Sequence, residues 1–231
     1  MRIDSQQHFT SEFSPSLLAP ILKRNRFEGT VVVAKVASVE ETRRLLGLAA
    51  EFAFIRAVVG WADLESPDVG AVLDEYQRHA KFRGVVWAGG AARGMLELER
   101  RDLTLELAAG ECVSAIVARH PGLRVAVVCD GTARVPELPA GVCLKLSGLI
   151  TGRAMQWKAA DFQGAVREAL ARLGPERVMY GSDWPSYLPE GTWKEALAAF
   201  TQAIGAQTLE AREHLLGGTA RRFYRIGDTE E

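Results

Sequence analysis

Short runs of apolar, mostly β-branched residues recur along the chain, each followed by a longer stretch whose apolar residues return every three or four positions. Eight runs stand out, at 2–5, 30–35, 55–61, 84–87, 103–107, 124–129, 142–146 and 177–180. TVVVAK and VAVVC are apolar at consecutive positions, the pattern of parallel strands covered on both faces. Helical periodicity falls at about 15–25, 38–51, 68–79, 110–119, 158–172, 191–204 and 208–216. Ser38 followed by VEET is a capping box that starts a helix with its first amides satisfied, and Pro67 and Asp68 open the next. Two connections are weaker. GGAARGMLELERRD holds two helical turns, and DGTARVPELPAG is too rich in Gly and Pro to hold a helix.

Eight strands alternating with helices predict a closed α/β fold, a (β/α)8 TIM barrel. The 231 residues fit a compact version with shortened loops, since such barrels run to roughly 250. One domain over 1–231 is expected, with 227–231 a flexible tail. An open doubly wound sheet is the alternative, but no GxGxxG follows an early strand.

Composition narrows the function classes. Hydrophobic residues at 48% and charged residues at 25% describe a globular chain. A net charge of -1 gives no electrostatic case for nucleic acid or an anionic membrane. No uncharged apolar run approaches the ~18 residues of a membrane span, and MRIDSQQHFT lacks a signal pattern. Cys112, Cys129 and Cys143 are odd in number without CxxC spacing, so free thiols and a cytoplasmic location are expected. The expected partner is a small molecule, with the oligomeric state open.

Barrel chemistry sits at the carboxyl ends of the strands. In order, those positions hold Gln6 and His8, Lys35, Trp61 and Asp63, Trp87, Glu106, Cys129 and Asp130, Lys145 and Ser147, and Asp183. Gln6 and His8 are two apart on a strand and share a face. Lys145 interrupts the apolar run VCLKLSGL and must pair or shift its pKa; it either contacts substrate or pairs with Glu106 or Asp183. Trp61, Trp87 and Trp184 line a pocket or plug the top of the barrel. Asp183 is a functional carboxylate or a turn former, and Asp130 before Gly131 presents the same choice. His79, His120 and His214 close or occupy helices and are expected at the surface.

RIDSQQHF, KFRGVV, CLKLSGL, LGPERVMYGSDWP and GGTARRFYR occur in that order. Together they resemble the amidohydrolase-related proteins of the fuconolactonase and 2-pyrone-4,6-dicarboxylate lactonase branch, from residue 1 to about 226. The resemblance implies a barrel hydrolase that opens lactones or related carbonyl compounds, some relatives holding a divalent metal and others none. The family's first strand carries D-x-H-x-H, whereas this chain reads Asp4-Ser5-Gln6-Gln7-His8. After the sixth strand the family shows Asp-His then Gly-Lys-Pro; here stand Cys129-Asp130-Gly131-Thr132. The fourth strand ends in Val86-Trp87 where the family has Arg-His, and segments are missing around 12–26 and 88–110.

The expectation is therefore a lactonase-like hydrolase without a full metal site. Asp183, His8 and Lys145 are its catalytic candidates; Gln6, Trp61, Trp87, Glu106, Asp130 and Trp184 are candidates to bind substrate. Asp183 would activate water while His8 and Lys145 stabilise the oxyanion. Two alternatives stand beside it. One is an inactive barrel that binds a ligand or protein partner. The other is an Mn or Mg hydrolase on an oxygen-rich set, His8, Asp130 and Asp183, zinc being poorly served by a Gln.

Overall fold

The computed structural model describes residues 1–90, 92–109, 113–131, 135–153 and 156–227. Its strands are β1 (Ile3–Gln7), β2 (Gly29–Val33), β3 (Ile55–Gly60), β4 (Phe82–Trp87), β5 (Thr104–Ala108), β6 (Arg124–Cys129), β7 (Cys143–Ser147) and β8 (Val178–Gly181). All neighbours pair in parallel and in sequence order. The ends of the sheet meet, with Gln7 bridging Trp184 and the His8 amide donating to the Trp184 carbonyl at 2.8 Å. The result is the expected (β/α)8 barrel.

Helices α1 (Pro15–Arg24), α2 (Val39–Glu51), α3 (Val69–Gln77), α4 (Gly94–Arg100), α5 (Val113–Arg119), α6 (Ala160–Leu173) and α7 (Trp193–Ile204) follow their strands. Ser38 caps α2 by accepting from the Glu41 amide, although the Glu41 carboxylate turns to Arg44 rather than completing the box. Thr192 and Glu195 form a full capping box on α7. No helix joins β6 to β7 among the described residues, as the Gly and Pro content requires. Cys112, Thr132 and the end of the tail lie outside the described residues. No helix among the described residues is long and apolar enough to cross a membrane.

The chain ends in α8 (Leu209–Glu213) and α9 (Thr219–Tyr224), and α9 was not anticipated by the apolar pattern. It brings Ala220, Phe223 and Tyr224 against Ile3, Val31, Ala57, Ala126 and Met179, the inward residues of the strands. A larger core lies between strands and outer helices, with Leu45, Leu73, Leu98, Ile116, Val166 and Phe200 buried in it. Tertiary burial, rather than helix propensity, holds so short a terminal helix.

β1 changes register between Asp4 and Gln7. Across that irregularity Asp4 and Gln7 come together, the Gln7 side-chain amide donating to the Asp4 carboxylate. Asp4 is fully buried and also accepts from the Ser182 amide at 2.8 Å, the Gln6 amide at 3.3 Å and the Trp193 indole at 3.0 Å. One carboxylate thus ties β1 to the turn after β8 and to α7. Asp4→Ala strands these buried donors and should lower unfolding free energy by about 3 kcal/mol or more. A fall in the urea midpoint at unchanged m-value is the expected readout.

Candidate active site

A cavity of about 470 Å³ opens at the carboxyl ends of β5, β6 and β7. Gln6, Asp130, Ser147, Thr151 and Asp183 line it, with backbone from 108–109 and 128–129. A larger hollow of about 660 Å³ lies near Arg2, Arg26, Glu28 and the 209–221 segment, at the opposite end of the barrel. Barrel chemistry belongs to the carboxyl-terminal end, so the smaller cavity is the candidate.

Asp183 occupies it from the turn after β8, with φ at 68° and its amide donating to the Gln6 carbonyl at 3.1 Å. This left-handed conformation is uncommon for a residue with a side chain, though Asp tolerates it better than most. Oδ1 lies 3.0 Å from His8 Nε2, and Oδ2 accepts from the Thr151 hydroxyl at 2.9 Å. Gly148 makes room: with φ at 71°, a Cβ there would stand 3.2 Å from both Asp183 Oδ2 and Thr151 Oγ1. Gly181 does the same for Gln6, whose Cβ would be 2.6 Å from an added methyl.

His8 Nδ1 faces the Val33 carbonyl at 2.9 Å, so that nitrogen carries a proton and donates. Nε2 is left facing two neighbours, Asp183 Oδ1 and Gln6 Nε2, the latter at 3.2 Å. It accepts from Gln6 when unprotonated and donates to Asp183 when protonated, and it cannot do both. The position of one proton therefore decides which neighbour His8 holds.

Below this layer is a sealed ionic set. Lys145 Nζ donates to Glu106 Oε2 at 2.7 Å and to Gln6 Oε1 at 2.9 Å. Tyr224 donates to Glu106 Oε1 at 2.5 Å, and the ammonium lies 5.4 Å from its ring centroid. Lys145, Glu106 and Tyr224 are all fully buried. Burial depresses the Lys145 ammonium more than the Glu106 charge raises it, and burial with that same charge raises the Tyr224 hydroxyl. Burial also pushes the Asp4 carboxyl up to about 6, against the donors from Ser182, Gln6 and Trp193.

Of the residues the sequence singled out, Gln6, Asp130 and Asp183 reach the cavity and His8 stands directly behind. Lys145 and Glu106 do not line it; they lie one layer down the strands and form the internal pair that was one of the two readings of Lys145. Trp184 is buried edge-on against Phe9 and Phe13, plugging the barrel instead of lining a pocket. Trp61 and Trp87 are half-buried and are not among the cavity's lining residues. His120, expected at the surface, is buried with Nδ1 3.3 Å from Glu99. Thr151 and Tyr224 were missed, one placed by a glycine turn and the other by tertiary docking. Asp4 was visible as the first member of D-x-Q-x-H, without a role. Ser147 Oγ lines the cavity, buried and without a partner among the described residues.

Fold and rim together define a parallel barrel with a carboxylate–imidazole centre at its carboxyl end. A family model described as amidohydrolase matches residues 5–226, and the chain belongs to the amidohydrolase family. It is 30% identical to an L-fucono-1,5-lactonase of Burkholderia ambifaria, over 97% of this chain and 96% of that protein. A Burkholderia multivorans L-fucono-1,5-lactonase is 29% identical over 98% and 96%. The crystal structure of a Burkholderia multivorans amidohydrolase with bound zinc superposes with a TM-score of 0.83, at 26% identity over 98% of this chain and 100% of that one.

The zinc in that relative raises the question of whether these residues suit a metal. The oxygen of Gln6 is taken by Lys145, which leaves His8 Nε2 and Asp183 Oδ1 as neighbouring donors. Catalytic zinc usually takes three protein ligands. His8, Asp130 and Asp183 do not gather either: among the described residues no three His, Cys, Asp or Glu side chains could hold one ion. The donor set does not fit. Gln6→His supplies an imidazole beside His8 and Asp183, and zinc retained through gel filtration should rise by roughly 10-fold or more over the unaltered chain. Equal retention by both proteins would show that position 6 is not what limits binding.

Proposed function

We propose that this chain hydrolyses a small lactone, with Asp183 as general base and then general acid. The observation that carries the reading is the pinning of Asp183 at the cavity by His8 on one oxygen and Thr151 on the other. The L-fucono-1,5-lactonases it resembles over nearly its whole length support a sugar-type lactone as the substrate class.

Water held against the Asp183 carboxylate attacks the lactone carbonyl carbon as its proton passes to Asp183. The electron pair of the carbonyl moves onto its oxygen, and the side-chain N–H of Gln6 meets the charge that develops there. When the tetrahedral intermediate collapses, the ring C–O bond breaks and Asp183 returns the proton to the departing ring oxygen. The product is the open hydroxy acid. His8 positions the carboxylate through its contact with Asp183 Oδ1. Lactones need less electrophilic help than amides, which suits a centre where the Lys145 ammonium is sheltered below the floor of the cavity.

A barrel that binds a ligand without turning it over is the second reading, favoured by Gln6 standing where the family has a histidine. One experiment separates the two. L-fucono-1,5-lactone and a panel of aldono-1,5-lactones are followed by acid release in a pH-stat. Turnover by the unaltered chain, with kcat/KM reduced roughly 10²- to 10⁴-fold in Asp183→Asn, is expected. Binding without turnover supports the second reading, and full activity in Asp183→Asn removes Asp183 from the chemistry.

A further inference from the structure

We propose that Lys145, which no substrate can touch, is a positioning residue that sets which end of the Gln6 amide faces the active site. The inference rests on the lactone-hydrolase reading for its kinetic consequence, but not for its geometry.

A glutamine side chain presents an oxygen acceptor at one end and an NH2 donor at the other, at almost equal size. Which end faces the cavity depends on what the other end meets. Here the ammonium of Lys145 lies 2.9 Å from Gln6 Oε1. Rotating the amide by 180° would set NH2 against NH3⁺, donor against donor, in a place sealed from water. Lys145 thereby turns the NH2 of Gln6 toward His8 Nε2 and the cavity. A polarity chosen on the sealed side of the floor becomes a hydrogen-bond donor on the reactive side.

Charge balance alone does not require this contact, because Glu106 already neutralises the ammonium at 2.7 Å. Nor is such a pair needed for stability, since buried ion pairs exchanged for apolar side chains of similar volume often leave a protein as stable or more so. What the ammonium adds beyond its partner is its bond to Gln6. With that bond gone, the Gln6 oxygen is free to turn outward. It would then oppose the oxyanion that the nitrogen stabilises.

Two measurements test this. On the unaltered chain, the side-chain NH2 signals of Gln6 are identified in a ¹H–¹⁵N spectrum by their loss in Gln6→Leu. Nuclear Overhauser contacts from those protons to the His8 ring are expected; contacts to the Lys145 methylenes instead would overturn the proposal. This measurement needs no substrate, so it stands even if no lactone is turned over.

The second measurement is kinetic. Lys145→Met alone would leave Glu106 as an unpaired buried charge and endanger folding. The triple variant Lys145→Met, Glu106→Leu, Tyr224→Phe removes the whole buried set together. It should fold with a melting temperature near that of the unaltered chain. Its kcat should fall roughly 10- to 100-fold with KM within about twofold, somewhat less than the loss of an oxyanion donor outright. Gln6→Leu added to that background should cost little more, since Lys145 acts through Gln6. A folded triple variant with unaltered kcat overturns the proposal, as does a Gln6→Leu effect equally large in both backgrounds.

Discussion

A parallel barrel is complete only when its first strand finds its last, and here the join is made around the Asp4 carboxylate. Four N–H donors reach that carboxylate, from Ser182, Gln6, Gln7 and Trp193. Two lie in β1, one follows β8 and one comes from the helix beyond. The same join holds the candidate site together, because Gln6 and His8 come from one side of it and Asp183 from the other. The Asp183 amide bonding to the Gln6 carbonyl is both a closure contact and the contact that sets the Asp183 carboxylate beside the His8 imidazole. Stability and chemistry share the seam, so a change that opens it disperses the site.

Beneath the seam, a second constraint runs along the barrel axis. An ammonium without access to water must be met by a carboxylate, and that carboxylate's remaining oxygen must be met as well. Lys145, Glu106 and Tyr224 satisfy this in sequence, and Tyr224 arrives only because the last helix docks across the amino-terminal mouth of the barrel. The end of the chain is thereby connected to the floor of the cavity at the other end of the barrel. Lys145 divides its donors between this structural demand and Gln6, which is how an internal ion pair reaches a residue lining the cavity.

Much of this could be read from the sequence where burial imposes a pattern. TVVVAK and VAVVC announce strands because a parallel strand is covered on both faces, and all eight strands lie within two or three residues of their expected bounds. Gln6, in β1, and His8, one residue beyond it, share a face as their spacing of two predicts, although the register irregularity between Asp4 and Gln7 includes Gln6. The pairing of Lys145 with Glu106 was foreseeable, since a lysine inside VCLKLSGL needs an acid from a strand of the same kind. Other features depend on contacts distant in sequence. Nothing in GGTARRFYR marks a helix whose tyrosine will cap a carboxylate more than a hundred residues earlier. Thr151 reaches Asp183 because Gly148 turns the chain, and Trp184 points into the core although it follows a rim residue.

Where the family pattern it resembles carries a histidine, the glutamine at position 6 would change the site by more than the removal of one ligand. Imidazole offers a lone pair to a metal, whereas the Gln6 amide, with its oxygen committed to Lys145, offers a proton to an oxygen. On the proposed reading the cation of this centre lies below the cavity, sheltered, with its influence relayed through the Gln6 amide. Such a relay stabilises negative charge less strongly than a metal does, and it needs no ion from solution. It therefore suits an ester-like ring that opens readily over an amide that does not. The same amide keeps a donor aimed at His8, so the His8–Asp183 contact competes with a His8–Gln6 contact for one nitrogen. That competition gives the centre two hydrogen-bonding arrangements around one nitrogen.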